Sequence, residues 1–366
     1  MVSCSIMTDE YLIRRTLTLA ARAYGRTSPN PMVGAVVLKG SRIVAEGYHK
    51  KAGTPHAEAI VLEKSGEEAR GATLYVSLEP CCHRDKRTPP CTENIISSGI
   101  RKVVIAMQDP NPKVGGKGIE ELRKAGIEVV SGILEERARM LNEYYIRHIT
   151  TGRPFVILKA AMTLDGKIAT PEGESKWITG EKARREVHRL RGGVDAILTA
   201  IGTVKADDPS LTCRTGRHKN PLRIIIDPRL EISEEARVLT APPETVIVTK
   251  KNGHEKKKAL LREKGIIILE HEGERADLAA LMQEMGKKGI MSVLVEGGSS
   301  LNASALESGI VDKVLFFIAP KIIGGKESFP VVGGRTYRNL ARAYRVSDTR
   351  IKKFGDDILI SGYMEK

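Results

Sequence analysis

The sequence predicts an α/β chain of about two domains. Three observations predict it. With 366 residues the chain is long enough for two cores of ordinary size. Short β-rich runs alternate with helical segments over most of its length, as in a mainly parallel sheet covered on both faces. A hydrophobic share of 41% with 28% charged residues excludes a disordered or fibrous chain. No apolar run approaches about 20 residues, so no transmembrane helix and no membrane partner is expected. Positions 1–10 lack the charged-then-apolar pattern of a signal peptide.

Thr8 or Asp9 caps a first helix, E-Y-L-I-R-R-T-L-T-L-A-A-R-A-Y, which ends at Gly25 with Leu12, Leu19, Ala20 and Ala23 near one face. T-S-P-N-P is a turn. M-V-G-A-V-V-L and R-I-V-A-E-G form a hairpin about Lys39-Gly40. Pro55 opens a helix through Leu62, and the strand A-T-L-Y-V-S-L delivers Glu79-Pro80-Cys81 to its carboxyl end. The helix after Pro90 carries Cys91 in its first turn, where the macrodipole favours a thiolate. The strand K-V-V-I-A-M, the turn D-P-N-P, a helix near 118–125 and a strand at 127–131 complete an αβα layer. Residues 135–148 read as one helix. T-T-G-R-P after it sets a boundary between domains 1–150 and 151–366.

In the second domain F-V-I-L-K-A, D-A-I-L-T, R-I-I-I-D, T-V-I-V-T, I-I-I-L, S-V-L-V-E and V-L-F-F-I read as strands. Helices near 180–191, 255–264, 275–288 and 299–308 separate several of them. S-V-L-V-E-G-G-S-S-L is a strand, a glycine turn and a helix start whose backbone amides suit a phosphate. It lacks the G-x-G-x-x-G spacing of a dinucleotide fingerprint.

The chemistry concentrates between Thr54 and Cys91. His56, Cys81 and Cys91 are three good zinc ligands, and Glu58 lies two residues from the first. One imidazole and two thiolates cancel the charge of Zn²⁺ and leave a fourth tetrahedral position for water. With a nearby unliganded carboxylate, this is the kit of a zinc-dependent nucleobase deaminase. Glu58 would shuttle the water's proton to the leaving ammonia. A closed structural site needs a fourth ligand, which Cys82 or His83 can supply. The ordered series H-A-E, L-E-P-C, P-P-C favours the catalytic reading.

A formal charge of +14 suits either a nucleic-acid binder or an enzyme of phosphorylated metabolites. Much of that charge lies in mixed Lys/Glu segments such as 251–264, which are solvated helix faces. Aromatics, at 4%, are too sparse for a base-stacking surface, so nucleic acid is not the expected partner. Five cysteines, three of them clustered near His56, read as metal chemistry in a reducing compartment, with Cys4 and Cys213 as free thiols. The cytoplasm is the expected location, and a homodimer the expected assembly.

Taken together, T-S-P-N-P-M-V-G-A-V (27–36), H-A-E (56–58), L-E-P-C-C-H (78–83) and T-P-P-C (88–91) resemble the deaminase half of the bifunctional riboflavin-biosynthesis deaminase–reductases. L-K-A-A-M-T-L-D-G-K-I-A (158–169), G-E-S-K-W-I-T-G (173–180), D-A-I-L-T-A-I-G-T-V-K-A-D-D-P-S-L-T-C-R (195–214), V-E-G-G (295–298) and A-P-K-I-I-G-G (319–325) resemble the reductase half. The resemblance implies a cytidine-deaminase-like αβα domain followed by a dihydrofolate-reductase-like α/β domain. It implies hydrolytic deamination of 2,5-diamino-6-ribosylamino-4(3H)-pyrimidinone 5′-phosphate, then reduction of 5-amino-6-(5-phosphoribosylamino)uracil to the ribityl product by NADPH. A rival reading, a deaminase of cytidine or of adenosine in tRNA, leaves 158–325 unexplained.

Carried onto this sequence, the resemblance puts zinc on His56, Cys81 and Cys91, with Glu58 as proton shuttle. It puts the pyrimidine phosphate against Asn30, His49 and His83, with a cation before T-P-P. It puts NADPH near Ala161, Trp177, Thr203, Asp207 and the run Gly298, Ser299, Ser300 and Leu301. It puts the reductase substrate near Ser175, Arg191, Leu211, Arg214 and Glu296. Arg191 and Arg214 suit a phosphate, because a guanidinium fork pairs two oxygens at once. Lys159, Asp207 and Glu296 are the candidate proton donors for reduction. One departure stands out: the step from Cys81 to Cys91 is one residue longer than the family's, and H-R-D-K-R replaces a glycine-containing turn. That leaves Lys86 or Arg87 as the cation and makes Cys82 a rival to Cys81, which is kept because it directly follows Glu79-Pro80.

Overall fold

The computed structural model describes residues 7–83, 89–215, 219–240, 242–251, 253–334 and 339–365. Lys86, Arg87 and Cys4 lie outside the described residues. Two units separate in the chain, Met1–Gly152 and Arg153–Lys366.

The first unit runs α1 (Asp9–Ala21), β1 (Gly34–Lys39), β2 (Arg42–Tyr48), α2 (Ala57–Ser65), β3 (Thr73–Val76), α3 (Cys91–Ser97), β4 (Lys102–Ile105), α4 (Lys117–Lys124), β5 (Glu128–Ser131), α5 (Glu135–Leu141) and α6 (Glu143–Thr151). Thr8 caps α1 by accepting from the Tyr11 N–H. Its strands form one sheet in the order β2-β1-β3-β4-β5. β1 is antiparallel to both β2 and β3, while β3, β4 and β5 are parallel.

Two glycines show how helices cover both faces of that sheet. A Cβ on Gly34 would stand 2.1 Å from the Thr16 carbonyl of α1, and one on Gly47 2.8 Å from Ile60 of α2. Gly47 pairs with Ala35, the residue after Gly34. Successive strand residues face opposite sides, so α1 and α2 cover opposite faces.

The single helix expected at 135–148 is two, α5 and α6. Asn142 breaks it, with φ −108° and ψ 23°. Its buried side chain accepts from the Met32 N–H at 2.8 Å and donates to the Met32 carbonyl at 3.0 Å. Two bonds to a partner 110 residues away outweigh one helical turn. Asn142→Ala is expected to leave both Met32 groups unsatisfied and to cost about 1–3 kcal/mol. Calorimetry of the full chain checks this, and an unchanged first-unit transition would refute it.

The second unit runs β6 (Phe155–Thr163), β7 (Lys167–Ala169), α7 (Glu181–Arg191), β8 (Ala196–Ala200), α8 (Ile201–Asp207), β9 (Leu222–Ile226), β10 (Thr245–Lys250), α9 (Glu255–Glu263), β11 (Ile267–His271), α10 (Leu278–Lys287), β12 (Ser292–Val295), α11 (Ser299–Glu307), β13 (Lys313–Ala319), β14 (Phe329–Pro330), β15 (Val346–Phe354) and β16 (Asp357–Met364). Nine strands form one sheet in the order β11-β10-β9-β8-β12-β6-β13-β16-β15. It is parallel from β11 to β13 and ends in the antiparallel β13-β16-β15. Leu158, Leu198, Ile224, Val248 and Val295 build its core against Leu281, Met285 and Leu301 of the helices.

Five elements of the second unit went unread in the sequence: the short β7 and β14, and α8, β15 and β16. α8 is short and carries Gly202 among β-branched residues, so propensity hides it. β15 is almost wholly exposed and rich in Lys and Arg, which masks the alternation, and β16 follows it in the same hairpin. No helix among the described residues is long and apolar enough to cross a membrane.

Candidate active sites

Local structure places the first site. His56 is the N-cap of α2, in extended backbone, and its ring does not cap the helix. Glu58 follows in the first turn. Cys81 lies just past β3, and Cys91 opens α3 after Pro90. The His56 Nδ1 is 3.2 Å from Cys91 Sγ and 3.7 Å from Cys81 Sγ. All three ligand atoms lie within 4.8 Å of one another. A tetrahedral zinc with Zn–N of about 2.0 Å and Zn–S of about 2.3 Å sets its ligand atoms about 3.5–3.8 Å apart. The residues fit one ion.

The helix end does not by itself ionise Cys91. Its contact with Cys81, then burial, push the Cys91 thiol well up, against the macrodipole expectation. Glu58 is 4% exposed. Burial pushes its carboxyl above the ordinary value, with His56 opposing and Cys81 adding to the rise. A base tuned upward in this way is suited to a proton shuttle near neutral pH.

Asn30 and His49 are brought together. The Asn30 Nδ2 lies 3.1 Å from His49 Nε2, and the His49 Nδ1 lies 3.1 Å from the Pro55 carbonyl. With Asn30 donating, the His49 proton sits on Nδ1 and is given to Pro55, the residue before His56. His49 is 2% exposed, a buried link between Asn30 and Pro55. His83 is half-buried at the end of the same segment as Cys81.

In the second unit Glu296 follows β12 and is buried. It accepts from Arg191 Nε at 2.7 Å, Arg191 Nη2 at 3.0 Å and Lys159 Nζ at 3.2 Å. Burial alone would raise its carboxyl, but Arg191 and Lys159 outweigh burial and hold it far below the ordinary range. His188 is pushed down by burial and then by Arg191, with exposed Arg214 contributing. Asp207, the last residue of α8, accepts from Ser175 Oγ at 3.4 Å and pairs with Lys176 Nζ at 3.3 Å. The Arg184 guanidinium lies 4.6 Å above the exposed Trp177 ring. Ala161 is half-buried on β6. Leu211 is buried with φ +50°, a left-handed turn between α8 and β9.

Gly298 caps α11, and a Cβ there would lie 3.7 Å from Thr203 Oγ1 of α8. Gly297 packs so tightly on Leu301 that a Cβ would stand 2.6 Å from Cδ2. The Ser299 Oγ is buried with no hydrogen-bond partner among the described residues, beside the uncapped N–H groups of α11, and Ser300 follows it exposed. An orphan hydroxyl at a glycine-led helix start fits a cofactor phosphate.

Comparison with known proteins then decides the lineage. The profile of the cytidine and deoxycytidylate deaminase zinc-binding region matches residues 6–107. That of the RibD C-terminal domain matches residues 154–360. The riboflavin biosynthesis protein RibD of Aquifex aeolicus is 46% identical over 354 residues, covering 96% of this chain and 97% of its own. The chain belongs to the RibD family. RibD of Escherichia coli is 42% identical over 332 residues, 87% of this chain and 89% of its own. The structure of Acinetobacter baumannii RibD superposes with a TM-score of 0.89 at 36% identity, covering 98% of this chain and 99% of that one. The Thermotoga maritima diaminohydroxyphosphoribosylaminopyrimidine deaminase/5-amino-6-(5-phosphoribosylamino)uracil reductase superposes at 0.87 with 37% identity and the same coverage. As a RibD, the chain is a bifunctional enzyme of riboflavin biosynthesis, with a zinc deaminase domain and an NADPH-using reductase domain.

At three points the geometry bears on the sequence reading. Cys82 lies outside the group of ligand atoms formed by His56, Cys81 and Cys91 among the described residues. Arg191 turns Nε and Nη2 of its fork to Glu296. Glu296 is held as a carboxylate by two cations, which makes it a poor proton donor. Sequence reasoning also missed Glu79 and Asn142 as supports of the first site. A glutamate between Leu78 and Pro80 at a buried strand end needs a partner, and that was the available signal. Cys81→Ser is expected to lose zinc on dialysis against a chelator, and Cys82→Ser to keep it. The reverse pattern would move the ligand to Cys82.

Proposed function

We propose that the first unit hydrolytically deaminates 2,5-diamino-6-ribosylamino-4(3H)-pyrimidinone 5′-phosphate, and that the second reduces the resulting 5-amino-6-(5-phosphoribosylamino)uracil to its ribityl form. The observation that carries the first half is a histidine and two cysteines converging around a space for one ion, with buried Glu58 beside them. His56, Cys81 and Cys91 hold the metal. Bound zinc supplies a Lewis acid that makes water nucleophilic at neutral pH. A Glu58 carboxylate oxygen takes a proton from the attacking water and returns it to the departing ammonia, so that C–N is exchanged for C–O. Asn30 and His83 orient the pyrimidine, and His49 fixes Asn30 and the Pro55–His56 turn. Lys86 or Arg87 gives the substrate a cation.

In the reductase, NADPH supplies the hydride that reaches the opened sugar carbon. Gly298, Ser299, Ser300, Leu301, Thr203, Ala161, Trp177 and Asp207 hold the cofactor. Arg214 meets the substrate phosphate, while Ser175 and Leu211 border the sugar. Lys159 is the proton donor: its ammonium, held on Glu296, delivers the proton from Nζ and regains one from solvent. Arg191 keeps Glu296 ionised and in place.

The four cysteines among the described residues are free thiols, which supports a cytoplasmic setting. A dimer is our proposed assembly. The nine-residue edge strand β15, with Ile351 72% exposed, supports it. Light scattering tests it, and a monomer at micromolar concentration refutes it.

The activity is tested by supplying the diaminopyrimidine ribosyl phosphate and following ammonia release and NADPH oxidation separately. Both signals, in that order, support the assignment. Ammonia without NADPH loss would overturn the reductase half. Turnover of RNA, with none of the pyrimidine phosphate, would overturn the deaminase half.

A further inference from the structure

We propose that α4 is a brace that sets the distance between the two metal-ligating cysteines, with Glu79, Thr92 and Glu121 as its positioning residues. The inference rests on the zinc reading above. Cys81 and Cys91 come from different elements, after β3 and at the start of α3. Ten positions separate them in the sequence, and a separation of that length does not set the sulfur spacing. Something outside the loop must.

On the Cys81 side the grip is Glu79, two residues upstream and 3% exposed. Its Oε2 accepts from the Asp109 N–H at 3.1 Å and the Gly116 N–H at 3.0 Å, and its Oε1 from the Ile119 N–H at 3.2 Å. Gly116 is the N-cap of α4, and Ile119 lies in its first turn. The carboxylate therefore satisfies donors that a helix start leaves open, at the end where the dipole favours an anion. The contact is close. A Cβ on Gly118 would stand 2.3 Å from the Pro80 carbonyl, so a glycine is needed for α4 to lie on the peptide just before Cys81.

On the Cys91 side the grip is Thr92, which is fully buried. Its hydroxyl donates to Glu121 Oε2 of α4 at 2.8 Å. The Thr92 N–H also donates to the Cys81 carbonyl at 3.3 Å, tying the two cysteine segments directly. One eight-residue helix thus holds both segments, through a carboxylate at its start and another on its second turn. Groups that orient metal ligands from outside the coordination sphere typically change metal affinity by about 10–100-fold when removed.

The test uses the full chain with zinc bound. Thr92→Val keeps shape and removes the hydroxyl, Thr92→Ser restores it, and Glu79→Gln breaks the other grip. Zinc transfer to a chelator of known affinity is measured, together with the visible absorption of the cobalt-substituted protein, which reports ligand geometry. Thr92→Val and Glu79→Gln are expected to release zinc about 10–100-fold more readily and to shift the cobalt bands, with Thr92→Ser close to wild type. If both variants fold, keep wild-type affinity and leave the cobalt bands unmoved, α4 is only structural and the brace is refuted. Should Thr92→Val not fold, Glu121→Ala breaks the same bond from the half-buried side and is read the same way. If wild type releases zinc as readily as Cys81→Ser, the zinc reading itself fails, and the brace with it.

Discussion

Glu58→Gln is expected to lower ammonia release by about 10²–10⁴-fold while NADPH oxidation with pre-deaminated substrate stays at the wild-type level. The substitution is isosteric and sits in the first turn of α2, so neither the helix nor the His56 N-cap position changes. What is lost is the ability to take a proton. Burial has raised the Glu58 carboxyl, which brings it closer to the pH at which it must both accept and return that proton. Zinc content should remain at the wild-type stoichiometry, because no ligand has been touched. The measurement is ammonia release on the diaminopyrimidine substrate, with the reductase followed on its own substrate. Deamination within tenfold of wild type would remove Glu58 from the mechanism. Loss of both activities would point to a folding defect instead.

Glu296→Gln is expected to destabilise the second unit by about 3–5 kcal/mol and to abolish reduction. The carboxylate is 7% exposed, and it faces Arg191 and Lys159, which are 16% and 13% exposed. Removing the anion leaves two cations together in a poorly solvated place, where each must be neutralised or pushed apart. The pH dependence has a definite sign. The folded carboxyl lies far below its ordinary value of 4.5, so its stabilisation is fully present above that value. It is lost progressively as the pH falls below 4.5 towards the depressed folded value. The wild-type chain should therefore lose stability below pH 4.5 more steeply than the variant. Denaturant unfolding between neutral pH and the acid limit reads both effects. Equal acid slopes in the two proteins would mean that the triad does not govern this titration.

The metal chemistry was legible in the sequence because its determinants are local. H-A-E at the start of a helix, Pro80-Cys81 after a strand and Pro90-Cys91 before another helix each follow rules spanning a few residues. Most strands of the parallel sheet were legible for a similar reason: buried strands are continuous apolar runs. β15 was not, since an exposed edge needs no apolar pattern, and α8 was not, since packing holds seven residues that propensity does not favour.

Partner choice lay beyond the sequence. Asn142 breaks a helix to hold Met32, and Arg191 pairs with Glu296, over separations above a hundred residues. Cys81, preferred in the sequence over Cys82 for its place directly after Glu79-Pro80, is the one of the two that joins His56 and Cys91 among the described residues. The sequence by itself determined which chemistry this chain can perform, because donor atoms and their neighbours are written in short motifs. The tertiary structure decided which of those atoms meet. Hydrogen bonds and ion pairs are made between groups that folding brings within about 3 Å, and the order of residues along the chain does not contain that distance.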